Sequence, residues 1–252
     1  MPETIAPPSI QSLLIQMRFG DTILGTATGF VVNTKNGPAL VTNRHVVTGR
    51  HQDTNVPLSS TAGIPDNLVV WHNQLNRLGR WVAKRESLYM GDVPRWKEHP
   101  TLGARADIVC LRLTDLTDVH LYPYDVSNPG PHIRIGPSDL LSVVGFPFGL
   151  VGRAGTGLFA IWATGFLAIE PLAEFGELPV LLIDCRSRNG QSGSPVIAYR
   201  SGGMVAMSDG SSAAFSGSVS RLVGVYSGRI NAESDLGKVW KLSALAELVA
   251  SV

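Results

Sequence analysis

Short apolar runs rich in β-branched residues, each cut off by glycine, proline or asparagine, recur along most of this chain and leave little room for helices. The clearest is G-T-A-T-G-F-V-V at 25–32, followed by Asn36-Gly37 and then by A-L-V-T at 39–42. Val, Thr and Phe fit a pleated surface, and Asn-Gly between two such runs signals a tight hairpin. With 27 glycines and 16 prolines, turn residues are available at every boundary. The pattern predicts an all-β protein. One helix is expected, at about 243–251, with Ser243 as N-cap and Leu245, Leu248, Val249 and Val252 at i, i+3, i+4 and i+7. Its apolar stripe is expected to seal the core of the second half.

Residues 190–195 read G-Q-S-G-S-P. Glycines at 190 and 193 free the backbone around Ser192 to take dihedrals that a side chain would obstruct. Adjacent amide N–H groups can then converge on one spot beside the hydroxyl. A serine hydroxyl is a weak nucleophile until a base takes its proton, and its attack creates an oxyanion that needs fixed donors. The string also fits an ordinary Gly/Ser turn, so a base and an acid elsewhere must decide. Ser194 is the competing hydroxyl.

Upstream, A-L-V-T-N-R-H-V-V at 39–47 is an apolar strand ending in a polar turn from which His45 projects. The other histidines, at 51, 72, 99, 120 and 132, show no metal-ligand spacing. The candidate acid is Asp107, directly before the apolar run I-V-C-L. A carboxylate entering a buried strand is costly unless a donor offsets it, and an imidazole N–H is one such donor. Asp92, Asp115, Asp118 and Asp184 compete, but none precedes so apolar a run between His45 and Ser192.

In chain order, T-N-R-H-V-V, A-D-I-V-C-L and G-Q-S-G-S-P resemble the trypsin/chymotrypsin-like serine peptidases, in particular the bacterial glutamyl-endopeptidase and HtrA-like branches. G-F-P-F-G at 145–149 is similar to the turn opening the second barrel, and L-V-G-V-Y-S-G at 222–228 to a late strand lining the substrate cleft. The resemblance implies a chymotrypsin-like fold of two six-stranded antiparallel β-barrels, at about 10–125 and 135–242, within one domain spanning 1–252. It also implies a triad of His45, Asp107 and Ser192, an oxyanion hole from the Gly190 and Ser192 N–H groups, and Ser227 hydrogen-bonded to the acid. The roles within such a triad are those of the family's worked example. Gln191 stands where animal members carry an aspartate that pairs with a new amino terminus, so no zymogen-type switch is expected.

For specificity, the resemblance places the pocket floor at 185–189, including Arg186 and Arg188, and the opposite wall at Tyr226, Ser227, Gly228 and Arg229. Guanidinium groups there would favour an acidic substrate side chain. If they point to solvent, a small or apolar side chain is favoured instead. A catalytically silent peptide-binding scaffold and an esterase are the alternative functions.

Composition excludes other classes. Of 252 residues, 44% are hydrophobic and 16% charged, with a formal net charge of +1 and no basic run, so nucleic acid is not an expected partner. No cofactor or metal is expected. A protein or peptide substrate is, and a regulatory protein partner is compatible with the chain; the oligomeric state is not legible. Cys110 and Cys185 form no redox or zinc pattern and would pair only in an oxidising compartment. M-P-E-T-I-A-P-P-S-I lacks the basic and apolar regions of a signal peptide. The longest apolar stretch, 158–169, is too short to span a bilayer and reads as a strand pair around Thr164-Gly165. A cytoplasmic location without membrane association is therefore expected. Surface loops are expected at 48–66 and 85–105, and a polar loop near the cleft at 208–218.

Overall fold

β1 (Ser12–Phe19), β2 (Thr22–Thr34) and β3 (Gly37–Thr42) form an antiparallel meander in the computed structural model, which describes residues 5–231 and 233–252. The tight turn of the second hairpin is Lys35–Asn36, one residue earlier than expected, because Gly37 already pairs with Thr34. Its φ of +108° is where glycine is required. β4 (Asn67–Gln74), β5 (Arg77–Ser87), β6 (Trp96–Glu98), β7 (Val109–Arg112) and β8 (Val119–His120) complete an eight-stranded sheet. Its order is β8-β4-β1-β2-β3-β7-β6, with β5 paired to β4.

The second half is a closed six-stranded barrel. β9 (Leu140–Gly145), β10 (Ile161–Leu167), β11 (Val180–Asp184), β12 (Pro195–Arg200), β13 (Val219–Arg229) and β14 (Leu236–Lys241) join in the ring β9-β10-β11-β14-β13-β12. The all-β class and the closed second barrel follow the expectation, and the first half uses eight strands in its sheet.

Period-two alternation builds three apolar cores from these strands. Leu13, Ile15, Val31, Leu40, Val109 and Leu111 fill the inside of the first half. Leu141, Val143, Ile183, Val196, Ala198 and Val223 fill the barrel. The alternate positions, among them Phe30, Val32, Val41, Ile108, Val144 and Ile197, meet in a third core shared by both halves. Helix α1 (Pro8–Gln11) leads into β1, α2 (Arg44–Thr48) follows β3, and α3 (Leu242–Ala250) ends the chain. Leu245, Leu248 and Val252 of the terminal segment lie in the shared core, so α3 bridges both halves instead of sealing the second alone. Its N-cap is Lys241, not Ser243, which is exposed.

Five local readings change. His45 sits on α2 and not in an irregular turn. The 85–105 region contains β6 and a hairpin of Tyr89–Met90 with Val93–Pro94. Residues 161–167 run straight through Thr164 and Gly165 as one strand, because Gly165 lets the β11 backbone approach: a Cβ there would lie 2.0 Å from Asp184 O. The 208–218 segment contains the Ser212–Phe215 strand, paired with Gly203–Ala206. The G-F-P-F-G turn follows β9 and does not precede the barrel; Pro147–Gly149 form a 3₁₀ turn. Among the described residues no helix is long and apolar enough to cross a membrane. Residues 1–4, part of the stretch read for a leader, lie outside the described residues.

His72 on β4 is 1% exposed, and neither ring nitrogen has a hydrogen-bond partner. Burial, with the Lys84 charge adding to it, lowers its pKa from 6.5 to about 4. The unfolded chain therefore takes up a proton between those values while the folded protein does not. Stability is expected to be fully present above pH 6.5 and to fall with pH down to about 4, by about 3 kcal/mol from this group. Urea unfolding between pH 4 and 7 checks this; His72→Gln should flatten that part of the profile.

Candidate active site

β3 delivers the chain to Asn43, whose extended backbone lets α2 start at once, and buried Val46 and Val47 hold the helix down. Gly49 ends it in a left-handed conformation, φ +63°. Asn43 Nδ2 donates to the Asp107 carbonyl at 2.7 Å, tying α2 to the segment entering β7. His45 thereby faces Asp107. Its backbone N–H donates to Asp107 Oδ1 at 2.9 Å, and its Nδ1 lies 2.7 Å from Oδ2. Ser227 Oγ, from β13 of the barrel, donates to the same Oδ2 at 2.7 Å.

Asp107 is 2% exposed, so its charge must be met by donors. Three meet it, and that sets the tautomer of His45. With the proton on Nδ1 directed at the carboxylate, Nε2 keeps its lone pair.

The serine loop is built from the barrel side and locked to the first half. Thr28 of β2, fully buried, is its hub. Its N–H donates to Ser192 O at 2.9 Å, and its hydroxyl donates to Gly190 O at 2.8 Å while accepting from Phe146 N at 3.1 Å. Thr42 Oγ1 in turn donates to Thr28 O at 2.8 Å. Gln191 is fully buried, and its side-chain oxygen accepts from Arg188 N at 2.7 Å. Gly193 N donates to Tyr226 O at 2.9 Å. Gly190 and Gly193 have φ of +95° and +84°. A Cβ on Gly190 would meet Phe146 O at 2.3 Å, and one on Gly193 would meet Thr28 O at 2.1 Å.

This geometry leaves two N–H groups unused: those of Gly190 and Ser192 donate to no group among the described residues. The Ser192 hydroxyl is likewise unbonded among the described residues, and no hydrogen bond joins Ser192 to His45. Both side chains line one cleft of about 650 Å³, along with Asp107, Gly190 and Ser227. Met17, Leu24, Val46, Leu58, Phe148 and Ile230 supply its apolar wall. An ion pair of Lys238 with Asp53, at 3.5 Å, crosses one edge of the cleft. Ser194 is excluded from it: fully buried, it packs against Gly145, where a Cβ would lie 2.0 Å from its Oγ.

Of the residues expected to bind substrate, Ser227, Gly228 and Arg229 line the cleft. Arg186 and Arg188 do not. Arg186 is exposed, and the Arg188 guanidinium turns back to donate to the Ser187 carbonyl at 2.8 Å. Tyr226 is buried and lies behind the cleft surface. Cys110 and Cys185 are both free and buried; burial pushes their thiols up to about 12 and about 11. Thr28 and Thr42 were not singled out from the sequence, and Gln191 was singled out only for its lack of charge, not for its bond to Arg188 N. A threonine in a β-branched run carries no local mark of a buried hub.

The family described as a trypsin-like peptidase domain matches residues 27–207. No curated protein matches the sequence. Among solved structures, the serine endoprotease from Yersinia pestis is similar in fold, at 15% identity and a TM-score of 0.51, covering 100% of this chain and 68% of that one. The Rv3671c protease from M. tuberculosis, in its active form, aligns at 17% identity and a TM-score of 0.49, covering 96% of this chain and 81% of that one.

Gln191→Ala removes the acceptor of a partly buried backbone N–H, that of Arg188, inside the serine loop. The expected cost is about 1–3 kcal/mol of folding stability, measured as a lower urea midpoint with an unchanged slope.

Proposed function

The chain belongs to the trypsin-like peptidase family, and from that premise we propose that it is a serine endopeptidase acting through Ser192, His45 and Asp107 by way of an acyl-enzyme. The observation that carries the proposal is the pair of His45 and buried Asp107, 2.7 Å apart, on the cleft that Ser192 also lines, together with the unused N–H groups of Gly190 and Ser192.

In the proposed reaction a peptide carbonyl lies over Ser192, its oxygen directed at the Gly190 and Ser192 N–H groups. Ser192 Oγ attacks the carbonyl carbon while His45 Nε2 takes the hydroxyl proton. Catalytic hydrogen bonds that are long without substrate tighten in the complex, so the unbonded serine and imidazole are compatible with this step. The negative charge moves to the carbonyl oxygen, where fixed donors are worth far more than water because they need no reorganisation. Asp107 keeps the imidazole oriented and stabilises the imidazolium. His45 then gives its proton to the leaving nitrogen as the C–N bond breaks. Water, deprotonated by His45, attacks the ester, and the serine leaves with the proton returned. Arg188 N bonded to Gln191 supports a loop ordered without a new amino terminus. An esterase would use the same groups, and a scaffold would use none of them.

A fluorophosphonate probe should label the protein at Ser192, and peptide against ester substrates separate the two hydrolases. Ser192→Ala is expected to abolish labelling and to lower turnover by about 10⁴-fold or more, with thermal unfolding unchanged because no core packing is lost. Turnover that survives this change overturns the assignment.

Asp107→Asn preserves the shape but favours the wrong tautomer. Its kcat is expected to fall by roughly 10⁴-fold near neutral pH, read from initial rates on the same peptide. Near-normal rates would move the acid to another residue.

A further inference from the structure

Tyr226, hydrogen-bonded to the backbone on either side of the serine loop's Gly193, is buried and does not line the cleft. The residue whose carbonyl Ser192 attacks has its position set by the Gly190 and Ser192 N–H groups. In the trypsin-like family its side chain falls between the two segments that flank the serine, which here are 185–190 and 226–229. Gly228 and Arg229 open onto the cleft there, but Cys185, Ser187 and Tyr226, at 3%, 1% and 1% exposure, do not. The space between these segments is occupied by the Tyr226 ring. Its hydroxyl is hydrogen-bonded to Ser187 Oγ, across the slot. Its other side lies along Gly237 of β14, where a Cβ would sit 2.5 Å from Tyr226 Cε2.

The ring is also held by its own backbone. Tyr226 O accepts from Gly193 N at 2.9 Å, and Tyr226 N donates to Ser194 O at 2.8 Å, so the residue is hydrogen-bonded to the serine loop on both sides. To vacate the slot, an aromatic ring would have to leave the barrel core and give up the bond to Ser187. No guanidinium reaches this space from Arg186 or Arg188, so these two supply no charge to select an acidic side chain.

We propose that Tyr226 is the specificity-determining residue of this peptidase, filling the slot behind Ser192 so that cleavage follows only small residues: glycine, alanine or serine. The inference rests on the serine-peptidase reading above. Gly237 is the matching half of the device, since its missing side chain is what makes room for the ring. Ser187 fixes the ring's outer end, and burial pushes the Tyr226 phenol up to about 12, so it stays a neutral hydrogen-bonding plug.

The test is a set of fluorogenic peptide amides differing only in the residue before the scissile bond: Gly, Ala, Ser, Leu, Phe, Glu and Lys. Wild type is expected to favour Ala over Leu or Phe by about 100-fold in kcat/KM. Tyr226→Ala should raise kcat/KM for Leu and Phe by at least about 10-fold, chiefly through KM, while the rate on Ala does not rise. Tyr226→Phe keeps the ring and should keep the small-residue preference, which leaves the wild-type profile and this variant to decide if Tyr226→Ala does not fold. Fluorophosphonate titration of each protein counts competent serines. Absence of labelling in wild type sinks the peptidase reading and this proposal with it. Full labelling with efficient wild-type cleavage after Phe, Leu, Glu or Lys overturns this proposal alone, as does a Tyr226→Ala profile identical to wild type.

Discussion

One buried carboxylate ties the molecule together. Asp107 enters β7 of the first half, receives two hydrogen bonds from His45 on α2, and takes a third from Ser227 on β13 of the barrel. Removing the partners of a buried charge costs about 3–5 kcal/mol, so a shift of either half against the other is opposed at this point. The same three bonds orient the imidazole. Cohesion between the halves and the tautomer of His45 therefore have one physical cause.

A second bond cluster, around Thr28, does for the serine loop what Asp107 does for the imidazole. A strand of the first half supplies both an N–H and a hydroxyl to carbonyls at 192 and 190. Those carbonyls point into the body of the protein, and the N–H groups of Gly190 and Ser192 are left without partners among the described residues. The two N–H groups share peptide planes with the carbonyls of Asn189 and Gln191, which accept from Phe148 N at 2.6 Å and Ser194 N at 3.0 Å, so each N–H is turned the opposite way from a carbonyl that is already bonded. The shared core of Phe30, Val41, Ile108, Val144 and Leu245 fixes the separation at which these bonds form.

Much of this was readable from residues, and the gaps have identifiable reasons. The β2–β3 hairpin was legible because β-branched alternation and Asn-Gly act locally, though the register was off by one since Gly37 joins the strand. The break expected at Thr164-Gly165 did not occur: this glycine serves a close approach of β11, a contact between residues distant in sequence. The terminal helix was legible from its apolar stripe, but not the fact that the stripe serves both halves. At the site, G-Q-S-G-S-P, the strand before His45 and the carboxylate before I-V-C-L marked candidates. Arg186 and Arg188 were marked only through the family resemblance and lie off the cleft, because the direction of a long side chain is set by its surroundings.

The sequence by itself determined the all-β class, the β2–β3 turn to within a residue, and a short list of candidate groups: Ser192, His45, Asp107 and the glycines beside the serine. Periodicity and glycine placement act over a few residues, and such signals survive in a bare string. Only the tertiary structure decided that Ser194 is buried while Ser192 faces the cleft, that Thr28 holds the serine loop, and that Tyr226 occupies the space behind it. Each of these depends on which residues far apart in the chain share a wall. Packing of the two halves sets that, and no local pattern records it.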